Sequence, residues 1–248
     1  HTIGRRQRQM CIRDRPKPVE DGYEFTLEQD SLSNAMGARL PNRSLWMIQG
    51  EVGSGKSLVS QRLIFGLLEN GSKVLVVTTE LTTRGWIEQM ESIGYPVTEH
   101  IAKGKLLVFS RFGVIADVKE GVDLFDVLES EAVEKSDVIV VDSASALMPT
   151  GLESNEQLAA LQKLRKVCSE SRSLLLTVDP TEMDHKLLHK LRSSCEVLLD
   201  MNAGFVGGEI KRTIVVTRFL RAAGPVQASV GWRVEPYMGF IVDITAVS

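Results

Sequence analysis

Residues 46–61 read WMIQGEVGSGKSLVSQ, and this stretch decides how the rest of the chain is interpreted. Gly50, Gly55, Lys56 and Ser57 match the phosphate-loop pattern G-x-x-x-x-G-K-[ST]. An apolar run precedes the pattern and helical spacing follows it, which is the strand–loop–helix context of such a loop. Glycines let backbone N–H groups turn towards phosphates, and the start of the helix favours negative charge. The stretch therefore predicts a nucleoside triphosphate site.

The predicted nucleotide-binding residues are the loop and the start of its helix: Gly50, Glu51, Val52, Gly53, Ser54, Gly55, Lys56, Ser57 and Leu58. Among them, Lys56 is expected to reach the β- and γ-phosphates, and the Ser57 hydroxyl to bind Mg²⁺. Asp142 ends the apolar run VIVVD at 138–142 and is the second predicted magnesium ligand, because the carboxyl ends of parallel strands meet beside the loop. The alternative is that Asp142 only caps the turn into residues 143–145.

Three further residues are candidate catalytic groups. Glu80 ends the run VVTTE at 76–80, and its carboxylate is placed to orient an attacking water; an N-cap or solvent-facing role is the alternative. Arg218 and Arg221 end the run RTIVVTRFLR at 212–221. In a ring of subunits they would stabilise a neighbour's γ-phosphate, and the alternative is that they are solubilising charges on an edge strand.

Composition excludes several classes of protein. The chain has 248 residues, of which 43% are hydrophobic and 25% charged, as in ordinary soluble globular proteins. Cys11, Cys168 and Cys195 are far apart, which argues against a disulfide framework or zinc site and favours a reducing cytoplasm. His185 and His189 have a metal-ligand spacing but no third ligand, so we expect a solvated helix face. No apolar run approaches the roughly 20 residues that span a bilayer.

Charge is distributed unevenly. Residues 1–17 hold six basic residues and one acidic residue, and we expect a disordered or non-native basic tail there. The chain as a whole carries a net charge of -3, so residues 18–248 are acidic and are expected to form one domain without non-specific nucleic-acid binding.

Strands and helices alternate through the first two thirds of the chain. Strands are predicted at 45–49, 73–80, 105–110, 137–147 and 173–179, and helices at 56–70, 83–94, 123–134, 153–171 and 184–192. The last part, at 195–201, 209–220, 227–235 and 239–244, reads as strands with little helix between them. The predicted fold is α/β, with a mostly parallel central sheet flanked by helices and antiparallel C-terminal edge strands. The predicted core includes four aromatic residues: Trp46, Trp86, Phe109 and Phe112.

The stretch DSLSNAMGARLPNRSLWMIQGEVGSGKS (30–57) resembles the opening of RecA/KaiC-type domains, with Asp30, Leu32, Gly37 and Pro41 in the places of that family's pattern. Three later stretches resemble the archaellum accessory ATPases of the FlaH type: VVTTELTTRGWIEQMESIGYPV, LLLTVDPTEMDHKLLHKLRSSCEVLLDM and WRVEPYMGFIVDI. The resemblance covers roughly residues 20–245, nearly the whole predicted fold.

That resemblance implies a RecA/KaiC-like domain that binds ATP with Mg²⁺ and forms a homo-oligomeric ring, a hexamer. It also implies a cytoplasmic position at the inner face of the membrane, docked on the archaellum motor ATPase and the motor's ring scaffold. Two features depart from the family's pattern. Thr79 stands where KaiC-like domains often carry the first of two Glu residues, and RFLR at 218–221 replaces their Lys-x-Arg finger.

Three hypotheses follow. The departures favour a regulatory ATP-binding subunit of the archaellum motor, in which nucleotide controls ring assembly and docking with weak or no hydrolysis. An active KaiC-like signalling ATPase is the alternative. A recombinase-like DNA-binding ATPase fits less well, because residues 143–157 carry no Lys or Arg.

Overall fold

The computed structural model describes residues 22–113, 123–149 and 151–243, so the predicted basic tail lies outside the described residues. The strands are β1 Tyr23–Glu24, β2 Arg39–Leu40, β3 Leu45–Gln49, β4 Val74–Thr78, β5 Leu106–Ser110, β6 Val138–Asp142, β7 Ser173–Val178, β8 Val197–Val206, β9 Glu209–Phe219, β10 Ser229–Glu235 and β11 Gly239–Asp243. The helices are α1 Leu32–Ala35, α2 Lys56–Glu69, α3 Thr83–Ser92, α4 Thr98–Ala102, α5 Leu124–Leu128, α6 Glu131–Glu134, α7 Ser154–Ser169 and α8 His185–Ser194.

Nine strands form the main sheet, in the order β11-β10-β9-β8-β3-β7-β6-β4-β5. Strands β8, β3, β7, β6, β4 and β5 run parallel to one another, and β9, β10 and β11 are added antiparallel at one edge. The predicted α/β fold with antiparallel C-terminal edge strands is therefore confirmed. One detail differs, because the first strand of the C-terminal group, β8, pairs parallel to β3.

Two hydrophobic clusters cover the two faces of this sheet. Along β3, Trp46 and Ile48 belong to one cluster, and Leu45 and Met47 to the other, as the alternation of side chains along a strand requires. All five residues of β3 are buried. Burial on both faces explains why the central strands read as continuous apolar runs in the sequence.

The predictions for one helix, one strand and two core aromatic residues are wrong in detail. The helix expected at 123–134 is two short helices, because Ser130 adopts an extended conformation between α5 and α6. The strand expected at 137–147 ends at Asp142. Phe109 is 47% exposed, since it lies on the edge strand β5 and lines a half-open cavity of about 570 Å³. Phe112 is partly exposed, whereas the other two predicted core aromatics, Trp46 and Trp86, are buried.

Helices long enough to cross a membrane are missing from the described part of the chain. Within 22–113, 123–149 and 151–243, no helix combines the length and apolar character that crossing a bilayer demands.

Candidate nucleotide-binding site

The phosphate loop connects the carboxyl end of β3 to the start of α2, as the sequence predicts. Gly50 has no room for a side chain, because a Cβ atom there would lie 2.6 Å from Ser54 Oγ and 2.9 Å from the backbone oxygen of Met201. Gly55 has a φ of 95° and is the N-cap of α2, a left-handed conformation that favours glycine. The two glycines thus permit the close turn that brings the loop back over the helix start.

Lys56 is held inside the loop that it follows. Its Nζ donates to the backbone oxygens of Gly50 at 2.7 Å and Glu51 at 3.0 Å. Asp179 Oδ2 lies 3.7 Å from the same Nζ, and both side chains are buried. The ammonium group is therefore held against the backbone at the start of the loop, close to Asp179.

Asp179 follows β7, the strand beside β3, and is not among the residues predicted from the sequence. Burial alone would raise the pKa of Asp179, but hydrogen bonds from Thr181 and the charge of Lys56 outweigh that effect and hold the pKa below its ordinary value. Asp179 could have been predicted from the sequence. An acidic residue at the carboxyl end of a strand in this sheet is the same feature that identifies Asp142.

Asp142 is buried at the end of β6 and is surrounded by hydroxyl groups. Its Oδ1 accepts hydrogen bonds from Thr177 Oγ1 at 2.5 Å and Ser57 Oγ at 3.2 Å, and its Oδ2 from Ser60 Oγ at 3.4 Å. Burial raises the pKa of Asp142, and these hydrogen bonds with the charge of Lys56 act in the opposite direction. The structure therefore brings together Ser57 and Asp142, the two residues expected to bind Mg²⁺.

The residues present fit a nucleotide phosphate chain with Mg²⁺. The first N–H groups of α2 have no side-chain cap, which leaves donors for an anion, and Ser54 Oγ is buried without a partner among the described residues. A hydroxyl and a carboxylate oxygen 3.2 Å apart are suitable for Mg²⁺, which keeps several waters and needs few protein ligands.

Glu80 lies beyond the end of β4 and is exposed. In the sheet, β6 separates β4 from β7. Partial desolvation raises the pKa of Glu80, the negative charge of Asp142 adds to the rise, and the positive charge of Lys56 opposes it. Glu80 stands two residues beyond Thr78, the register partner of Asp142 on the neighbouring strand. Its orientation of a water remains a prediction.

Thr79 is buried, and its side chain is used within the protein. The Thr79 hydroxyl accepts a hydrogen bond from the backbone N–H of Ser143 at 2.8 Å and donates one to the backbone oxygen of Ser143 at 3.2 Å. Thr79 thus ties the end of β4 to the turn after Asp142.

Arg218 and Arg221 make contacts within their own chain. Arg218 Nη1 donates to the backbone oxygens of Ser193 at 3.0 Å and Cys195 at 3.1 Å, at the end of α8. Arg221 Nη2 donates to the backbone oxygen of Asn42 at 2.5 Å. Their role towards a neighbouring subunit remains a prediction.

His185 and His189 lie on the exposed face of α8, which agrees with the expected solvated face. In the described part of the chain, no group of three or more His, Cys, Asp or Glu side chains is arranged to hold a metal ion.

Comparison with known proteins assigns the family. Residues 30–224 match the family described as ATPase: KaiC, which is more than half of the chain. The chain is 32% identical to the archaeal flagellar ATP-binding protein FlaH of Methanocaldococcus jannaschii over 224 residues, covering 90% of this chain and 96% of the relative. This chain belongs to the FlaH-type, RecA/KaiC-like family.

Other relatives agree with this assignment. FlaH of Methanococcus voltae is 27% identical over 91% of this chain and 98% of its own length. FlaH of Sulfolobus acidocaldarius is 27% identical over 86% of this chain and 93% of its own length. The crystal structure of the flagellar accessory protein FlaH from M. jannaschii superposes with a TM-score of 0.81 at 30% identity, covering 90% of this chain and all of that one.

Proposed function

We propose that this chain is the ATP-binding regulatory subunit of an archaellum motor complex, in which Mg²⁺ and ATP control ring assembly and docking on the motor ATPase and ring scaffold. The observation that carries the proposal is the intact phosphate site, in which Lys56 is hydrogen-bonded to the loop backbone and Ser57 lies beside Asp142. The FlaH relatives, named as archaeal flagellar ATP-binding proteins, support the choice of ATP and of the archaellum.

Within this proposal, Lys56 and the N–H groups at the start of α2 bind the phosphate chain, and Ser57 with Asp142 holds Mg²⁺. The ion would supply charge neutralisation to the phosphates and would relieve the unfavourable burial of the Asp142 carboxylate. A bound γ-phosphate can order loops and select one conformation without turnover. The placement is cytoplasmic, at the inner face of the membrane and in contact with it through the complex.

Weak or absent hydrolysis is supported by the residues around the loop. Thr79 is engaged with the backbone of Ser143, and Arg218 is engaged with the end of α8. Glu80 is the acid proposed to orient a water, and it is exposed. Its position two residues beyond Thr78, the register partner of Asp142, is the observation that favours the alternative, an active signalling ATPase.

The proposal is tested by measuring ATP binding and steady-state turnover in parallel on the full chain. We expect Mg²⁺-dependent ATP binding that Lys56→Ala abolishes, and a turnover near background. Lys103→Ala is the matched control, because Lys103 is an exposed lysine at the end of α4 that pairs with Glu99 of the same helix. Unchanged ATP binding in Lys56→Ala would contradict the assigned site, and sustained turnover would establish the signalling ATPase instead.

A further inference from the structure

Gly55, the last glycine of the phosphate loop, lies directly against a side chain from β10. A Cβ atom at Gly55 would stand 2.5 Å from Cη2 and 2.7 Å from Cζ2 of Trp232. The next atom within reach is Cδ of Arg212, at 3.4 Å. The loop therefore rests on a tryptophan and an arginine that no sequence motif identifies.

Trp232 is a rigid support for this contact. It is only 3% exposed, and its ring stacks on Phe240 with centroids 5.0 Å apart and 14° between the planes. Its Nε1 is buried and has no acceptor among the described residues. Stacking and packing therefore hold the indole ring under Gly55.

Arg212 extends across the face of this tryptophan. Arg212 in β9 and Trp232 in β10 are direct cross-strand partners, so their side chains share one face of the sheet. The Arg212 Cζ lies 5.8 Å from the ring centroid, within the range of a cation–π contact. The stem of the arginine is thus held between the tryptophan and the phosphate loop.

The guanidinium group of Arg212 has unused donors. Its Nε is buried without an acceptor, and within the described residues no carboxylate forms an ion pair with it. The adjacent Lys211 lies on the opposite face of β9, where it pairs with Glu209 at 3.2 Å and Asp243 at 4.0 Å. Since a buried, unpaired donor on a charged group is costly, an anion beside Gly55 would complete this arrangement.

We propose that Arg212, supported by Trp232, binds the phosphate chain of the nucleotide held by residues 50–58. This inference rests on the proposed function and adds a cation from the same subunit to the site. Phosphate is the expected partner because an arginine fork matches its oxygens and because the neighbouring loop is built for an anion. It also gives residue 55 a second reason to be glycine, besides its positive φ, since a side chain there would collide with the tryptophan that supports the arginine.

The test is a titration of the full chain with Mg²⁺-ATP, ADP and AMP, comparing wild type with Arg212→Gln, Arg212→Lys and Lys211→Gln. Hydrogen bonds to charged groups predict that Arg212→Gln weakens ATP binding about tenfold or more. Arg212→Lys should recover part of that loss, because it keeps the charge without the planar fork. Lys211→Gln removes the same charge one residue away and should bind ATP as wild type does. The loss in Arg212→Gln should be smaller for AMP than for ATP.

Thermal unfolding without nucleotide separates binding from folding. If Arg212→Gln binds ATP like wild type, or loses AMP and ATP affinity equally without rescue by lysine, the inference is overturned. If Arg212→Gln unfolds at a lower temperature, the Arg212→Lys variant decides the question. An Arg212→Lys variant that is as stable as wild type but binds ATP more weakly supports the contact. An Arg212→Lys variant that binds ATP as tightly as wild type overturns it. Failure of the wild type itself to bind ATP would instead overturn the proposed function, and this inference with it.

Discussion

Two glycines of the phosphate loop are required for different physical reasons. Gly50 is confined by Ser54 and Met201, so its lack of a side chain allows the loop to leave β3. Gly55 combines a φ of 95° with direct contact to Trp232. A substitution at Gly55 therefore meets both backbone strain and a collision, and the two effects can be separated experimentally.

Gly55→Ala should abolish measurable ATP binding, because the added Cβ would push the loop away from Trp232. Gly71→Ala is the matched control. Gly71 has a φ of 93°, and a Cβ atom added there would have no neighbour within 4 Å. The Gly71→Ala variant therefore tests backbone strain alone. Each substitution should lower the free energy of unfolding by about 1–2 kcal/mol from strain. Calorimetric titration with ATP and chemical unfolding measure the two effects. Wild-type ATP affinity in Gly55→Ala would contradict this account.

At this scale, the sequence predicts residues whose role is local and misses those whose role depends on contact between distant strands. The spacing of Gly50, Lys56 and Ser57 is a property of eight consecutive residues, so the pattern alone identifies them. Arg212 and Trp232 read as ordinary strand residues. Their meeting with Gly55 depends on the pairing of β9 with β10 and on the position of both beside the loop.

Helix α8 shows how one element depends on a residue from another. Arg218, on β9, donates to two backbone oxygens at the end of α8, where helix carbonyls lack partners of their own. A cation there also interacts favourably with the helix dipole. In this structure Arg218 thus stabilises the packing of α8 against the sheet.

Arg218→Ala should lower the free energy of unfolding by about 1 kcal/mol, the usual contribution of such hydrogen bonds. Arg233→Ala serves as the control, since Arg233 is half exposed on β10 and pairs only with nearby Glu235 among the residues described. Denaturant unfolding of the two variants measures the difference. Unchanged stability in Arg218→Ala would contradict this structural role.

The sequence predicts element boundaries well where the apolar pattern is long and poorly where it is short. The helices α2 and α7 lie within a few residues of their expected positions. The helix expected at 123–134 is interrupted at Ser130. The prediction misses this break because a pattern of period 3.6 does not reveal a single extended residue. The short helix α4 and the two-stranded pair β1 and β2 have no counterpart among the predicted elements.

At the scale of the whole molecule, strand order cannot be read from the order of elements along the chain. The sequence indicates a parallel sheet with antiparallel edge strands, but not that β7 lies between β3 and β6. That order places Thr177 of β7 beside Asp142 of β6, and Asp179 beside Lys56. The candidate site is therefore completed by residues whose contribution depends on the order of strands.

The two described cysteines report on the integrity of this fold. Cys168 and Cys195 are both buried, and burial raises the pKa of each thiol to about 12. Because the thiolate is the reactive form, both should resist a thiol reagent at pH 8 in the native protein and react fully after denaturation. A Cys11→Ser variant isolates these two groups. Rapid native-state labelling of either one would contradict the burial of Cys168 in α7 and of Cys195 after α8.

Assembly controlled by ATP is the central claim for the whole molecule. Sedimentation analysis of wild type and Lys56→Ala, each without nucleotide, with Mg²⁺-ADP and with Mg²⁺-ATP, tests it most directly. The account predicts that wild type forms a larger particle of defined size, a hexameric ring, only with ATP, and that Lys56→Ala stays in its nucleotide-free form under every condition. A particle size independent of ATP, or an identical assembly of Lys56→Ala, would contradict it.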